Sequence, residues 1–142
     1  MKLLDVNLLV YAYNERVVQH ARARPWFEEL MSGTDAVALS WHTVLAFLRL
    51  TTRAQIMSPP LPVSIALRIV ESWLGRPNVV VVQPTSRHLS LLSHLLEVVG
   101  TAGNRVPDAH LAALAIEHGA VLCSADADFR RFPGLRWEDP LA

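Results

Sequence analysis

Cysteine is nearly absent, with Cys123 the only one among 142 residues. A disulfide within the chain and a cysteine-built zinc site are therefore excluded, and the composition suits a reducing compartment. Cys123 closes the apolar run Ala120-Val121-Leu122-Cys123, where a buried thiol acting as a small hydrophobe is expected in place of a nucleophile. Lysine is equally scarce: Lys2 stands alone, and the other cations are arginines, whose rigid fork suits phosphate recognition. Neither sign of charge dominates, since 13 basic and 13 acidic residues give a formal net charge of +0. The strongly basic balance usual in nucleic-acid binders is missing. Long apolar runs are missing as well, none approaching the roughly 20 residues that span a bilayer. The opening Met1-Lys2-Leu3-Leu4 meets Asp5 too early for a secretory signal. The expectation is a cytoplasmic protein with no membrane segment.

A chain of this length fits a single domain, residues 1–142, with a core large enough to need no staples. Short apolar runs bounded by turn residues predict strands over Lys2 to Val6, Ala36 to Leu39, Val79 to Val82 and Ala120 to Cys123, with a weaker one at Leu135 to Trp137. Helical spacing appears between them. Ala23, Trp26, Phe27, Leu30 and Met31 form one stripe that stops at Gly33, a natural left-handed cap, and Trp41, Val44, Leu45 and Leu48 form another. Ala66, Ile69, Val70, Trp73 and Leu74 follow Pro62 and end at Gly75. Leu89, Leu92, Leu96 and Val99 follow Ser86, a plausible N-cap, and Pro107 opens a last helix reaching about His118. Strands alternating with helices imply crossover connections, hence an α/β fold with a mostly parallel sheet of about five strands flanked by helices.

In such a sheet, ligands bind outside the carboxyl ends of the strands. Asp5 falls at the end of the first predicted strand, Asp126 and Asp128 just past Cys123, and Asp108 in the first turn of the helix opened by Pro107. Three separated segments thus deliver carboxylates to one edge. Acids brought together repel and raise one another's pKa unless a cation sits among them, and oxygen-rich sites suit magnesium or manganese. Such an ion lowers the pKa of bound water and polarises a phosphoryl oxygen, the requirements of phosphodiester hydrolysis. Each acid also has a plainer reading. Asp108 suits a helix N-terminus through the macrodipole alone, and Asp126 and Asp128 resemble a turn before Phe129-Arg130-Arg131. Asp5, inside an apolar strand, would be costly unless paired or metal-bound.

These residues resemble the PIN-domain ribonucleases, in particular the VapC toxins of bacterial toxin-antitoxin pairs. Leu4-Asp5-Val6-Asn7-Leu8-Leu9-Val10-Tyr11 is similar to their opening strand with its metal-binding aspartate, and Phe47-Leu48-Arg49-Leu50-Thr51-Thr52 to the phenylalanine-hydrophobe-arginine segment of their third helix. Pro107-Asp108-Ala109-His110-Leu111-Ala112-Ala113-Leu114-Ala115 resembles their central aspartate helix, and Ser124-Ala125-Asp126-Ala127-Asp128-Phe129 their late acidic loop. The resemblance implies a magnesium-dependent endoribonuclease, manganese being a possible substitute, that hydrolyses RNA as the toxin of a pair. Asp5, Asp108 and Asp126 would be the catalytic, metal-holding acids, with Asn7 and Ser124 as polar supports. It further implies a PIN-like fold, a VapB-type antitoxin that occludes the site, and a homodimer.

One position departs from the pattern. Where many members carry a glutamate before the phenylalanine of the arginine segment, this chain has Ala46. Helical spacing puts His42, Ala46, Arg49 and Arg53 on one face, which would offer cations to the cleft in place of an acid. Asp128 replaces the missing carboxylate, or three acids suffice, or activity is reduced, and a catalytically silent PIN-like binding module is the alternative. Arg49 and Arg53 are the first candidates for RNA contact, followed by Arg22, Arg24, Arg130 and Arg131, because acids cannot hold a polyanion unaided. An aspartyl-nucleophile phosphotransferase would want two acids one residue apart at the first strand, and here the pair is Asp5 and Asn7.

Overall fold

A computed structural model describes residues 1–142 in full. Five three- or two-residue strands form one sheet: β1 Lys2–Leu4, β2 Val37–Leu39, β3 Val79–Val81, β4 Val121–Cys123 and β5 Trp137–Glu138. Their order is β3-β2-β1-β4-β5 and every pairing is parallel. Six helices cover it: α1 Val6–Tyr13, α2 His20–Ser32, α3 Trp41–Thr51, α4 Val63–Leu74, α5 His88–Val99 and α6 Arg105–Glu117. A short 3-10 turn spans Ala127–Arg131.

The pleat sorts the core into two halves. Successive strand side chains point to opposite faces, so Leu3, Ala38 and Leu122 join the apolar side chains of α5 and α6 on one side of the sheet. Leu4, Val37, Leu39 and Cys123 join those of α1, α2, α3 and α4 on the other. The second half holds an aromatic nest in which Phe47 and Trp73 meet edge to face at 4.6 Å between centroids. The Trp73 indole N–H donates to the Tyr13 hydroxyl at 3.0 Å, so the one polar edge buried there is satisfied.

The predicted strands run long, and the first correction lies at the site itself. The expected strand to Val6 stops at Leu4, because the Asp5 carboxylate accepts the Val6 amide as an N-cap and the chain turns helical at Val6. A helix unforeseen in the sequence, α1, starts there; its Leu8, Leu9, Val10 and Ala12 are buried almost all round, which erases the one-sided periodicity that would have announced it. Gly33 is not a left-handed cap, its φ being −80°. Ser86 does not cap α5, which begins two residues later behind Arg87 with no side-chain cap. The α6 helix begins at Arg105, two residues before Pro107, and Asp108 stays in its first turn. The final strand is Trp137–Glu138, shifted from the expected Leu135 to Trp137.

Candidate active site

The carboxyl ends of the central strands run straight into polar residues: Leu4 into Asp5, Leu39 into Ser40 and Cys123 into Ser124. Ser40 caps α3, accepting the Thr43 amide at 3.1 Å. Ser124 is fully buried and serves as a hub. Its hydroxyl donates to Asp5 Oδ2 at 2.7 Å while accepting from Asn7 Nδ2 and from the Asp126 amide, each at 3.0 Å. The other oxygen of Asp5 accepts the Val6 amide at 2.7 Å. One serine thus ties the end of β1, the first turn of α1 and the loop after β4 into a single frame.

Asp108 enters from α6 and Asp126 and Asp128 from the loop after β4; all three line a cavity of about 330 Å³ together with Asn104, Arg105 and Arg131. Desolvation is the main cause that pushes the Asp108 carboxyl up to about 6, and repulsion from Asp5, Asp126 and Asp128 adds to it. The Asp5 carboxyl is also raised, chiefly by burial and further by Asp126, against the lowering pull of Ser124, the Val6 amide and His42. Acids from three separated segments therefore act on one another. A larger hollow of about 410 Å³ lies elsewhere, among Lys2, Trp26, Glu29, Leu30 and Asp35, and holds none of these acids.

No three histidine, cysteine or acidic side chains converge tightly enough to enclose an ion by themselves. The donor chemistry still fits a hard divalent cation, which takes one or two carboxylates directly and completes its shell with water. Mutual repulsion among hard oxygen ligands in a water-accessible cavity is the situation such a cation relieves.

The arginines divide by position. Arg105 and Arg131 line the cavity, whereas Arg49 and Arg53 are exposed and do not. Arg22 donates to the Leu141 carbonyl, Arg24 pairs with Glu28, and the Arg130 guanidinium lies 5.2 Å from the Trp137 ring centre. Arg105 was overlooked in the sequence although it precedes Asp108 by three residues, the spacing that puts two side chains on one helix face. Its guanidinium also donates to the Val99 carbonyl at 2.8 Å, closing the end of α5. Ala46 is buried on the core side of α3, and no acid stands in for it on that helix. Cys123 is buried in β4, and burial, with help from Glu138, pushes its thiol up to about 12, which leaves it inert.

A parallel sheet of this order, with aspartates gathered beyond the carboxyl ends of its central strands, defines a PIN-like α/β domain. The PIN domain model matches residues 2–135, and the chain belongs to that family. Ribonuclease VapC37 of Mycobacterium tuberculosis is 45% identical over 142 residues, covering 100% of this chain and 99% of that protein. Ribonuclease VapC33 of the same species is 39% identical over 141 residues, covering 99% of each. Among solved structures, VapBC2 from Rickettsia felis, bound to a DNA fragment from its promoter, superposes with a TM-score of 0.70 at 21% identity over 97% of both chains, a likeness of fold. No helix of the chain is long and apolar enough to cross a membrane.

Proposed function

We propose that this protein is the toxin of a toxin-antitoxin pair and a metal-dependent endoribonuclease that hydrolyses RNA phosphodiesters. The observation that carries the reading is the gathering of acids from three segments: Asp108, Asp126 and Asp128 line one cavity, and Asp5 is tied to the Asp126 amide through the Ser124 hydroxyl and acts on the charge of Asp108. Full-length similarity to two VapC ribonucleases supports the same activity.

In this reading Asp5, Asp108 and Asp126 would hold a magnesium ion, one or two of them directly and the rest through water, and manganese could substitute for it. When bound, the ion supplies an activated water and neutralises charge on the phosphate. Ser124 orients the Asp5 carboxylate by donating to it, and Asn7 steadies Ser124 by donating to its hydroxyl in turn, so the direction of Asp5 is set before substrate arrives. Asp128 adds the fourth carboxylate that Ala46 does not provide. Arg105 and Arg131 draw the RNA backbone to an edge that its acids would otherwise repel, a task for which they are better placed than Arg49 and Arg53. A VapB-type antitoxin would occlude this cleft. The protein works in the cytoplasm, as a homodimer.

The test is cleavage of a panel of structured RNAs by the purified protein with magnesium, with chelator, and with folded Asp5→Asn and Asp108→Ala variants. Discrete cuts that vanish with chelator and in both variants are expected. Cuts that persist in the folded variants would place the chemistry elsewhere, and absence of any cut despite magnesium binding would leave a binding module.

A further inference from the structure

From the start of α5 toward the acid edge, the chain assembles a file of imidazoles. Glu117, in the last turn of α6, has a side chain with 0% exposure. Its Oε1 accepts both the amide and the hydroxyl of Thr85 at 2.6 Å, and its Oε2 meets Nδ1 of His88, the first residue of α5. Burial works to raise this carboxyl's pKa, but the bonds from Thr85 and His88 outweigh it and hold it below the usual carboxylate range. Nε2 of His88 lies 2.9 Å from Nδ1 of His110. His42, in the first turn of α3, then rests edge-on against His110 with 5.6 Å between ring centres and 72° between planes. His42 is exposed, and the hydroxyl of its neighbour Thr43 donates to the Leu4 carbonyl at 3.3 Å, which seats the first turn of α3 against the end of β1 beside Asp5.

The inner half of the file has a structural reason, since Glu117 fastens the end of α6 to the start of α5. That reason does not extend to an exposed ring beside Asp5. Solvent-facing imidazoles ordinarily sample several rotamers. Here the ring packs against His110, whose plane is set by its hydrogen bond to His88 whichever nitrogen carries the shared proton. His42 is therefore a nitrogen donor held in place at the acid edge before any ligand arrives, and it comes from α3, whereas Arg105 and Arg131 come from α6 and the loop after β4.

Building on the ribonuclease reading, we propose that His42 is a further RNA-contacting residue, donating a ring N–H to a phosphate oxygen of the strand lying across the acids, with His110, His88 and Glu117 as its positioning residues. Donors from separate elements would then flank the carboxylates and hold the backbone across them.

The experiment compares the full-length protein with His42→Ala, His42→Arg and His88→Ala. Steady-state cleavage is measured on the RNA that the parent protein cuts, and fluorescence anisotropy on a labelled single-stranded RNA of fixed sequence in chelator at low salt. His42→Ala is expected to weaken RNA binding about tenfold and raise KM by a similar factor with the thermal midpoint unchanged, because the side chain is exposed. His42→Arg should restore most of the loss, and His88→Ala should weaken binding by a smaller factor. Binding and KM within twofold of the parent in His42→Ala would overturn the proposal, as would a loss in kcat alone. A parent protein that cuts no RNA would instead sink the ribonuclease reading, and the anisotropy comparison would still decide whether His42 touches RNA.

Discussion

Asp108 shows at the scale of one residue how the site stores energy that a cation would release. Its carboxyl is pushed up to about 6 from an ordinary 3.8 by burial and by three neighbouring acids. Without metal, the folded protein therefore binds more protons than the unfolded chain between about pH 4 and 6, so stability falls as pH rises through that window and levels off above it. Thermal unfolding in chelator across pH 4.5 to 7.5 should show this decline superimposed on the rest of the titration, and millimolar magnesium should flatten it by stabilising the ionised carboxylates. Ser124 offers a second reading at the same scale. It is fully buried and makes three hydrogen bonds that fix Asp5, Asn7 and Asp126. Ser124→Ala should lower metal affinity about 10- to 100-fold, the usual cost of losing a group that orients a ligand, and a magnesium titration of cleavage rate would measure it.

At the scale of elements, the decisive feature is how chain ends are turned toward one edge. The passage from β1 to α1 is made by a single residue, Asp5, which is both helix cap and candidate ligand. The loop between α5 and α6 depends on Gly100, whose φ of 81° and ψ of −174° lie in a region left almost entirely to glycine. A side chain there would find room, its nearest neighbour being an Arg105 nitrogen at 3.5 Å, so the penalty is one of backbone strain. Gly100→Ala should cost about 1–3 kcal/mol in chemical denaturation and loosen the start of α6 that carries Asp108. Phe47, fully buried in the aromatic nest beneath α3, sets the position of that helix. Phe47→Ala should cost about 3–5 kcal/mol, measured as a lower urea midpoint, because the cavity it leaves is walled by rigid rings.

For the whole molecule, charge balance shapes how RNA is met. The formal net charge is +0, so there is no global field to gather a polyanion from a distance. Binding must rest on a few local donors, and with about three phosphates neutralised the slope of log K against log salt should be about −2 for a single strand. Anisotropy titrations from 50 to 300 mM salt would check this, and a slope several times steeper would show that the exposed arginines outside the cleft take part.

The α/β class, the five parallel strands and the acids of the late loop were legible in the amino-acid sequence, because short apolar runs alternating with helical stripes leave few other ways to bury both faces of a sheet. The PIN resemblance rested on the same local motifs. By contrast, α1 was hidden because a helix buried nearly all round has no polar face to mark it, and Asp5 read as a strand residue because capping is a matter of backbone angle. The hub at Ser124 joins residues up to 119 positions apart, and the file from Glu117 to His42 joins three helices. The sequence by itself determined the fold class, the strands, the other helices and which acids are available, since these follow from local pattern and chemical type. Only the tertiary structure decided which groups stand within hydrogen-bonding or Coulomb reach, because the crossovers of a parallel sheet bring distant segments to one edge.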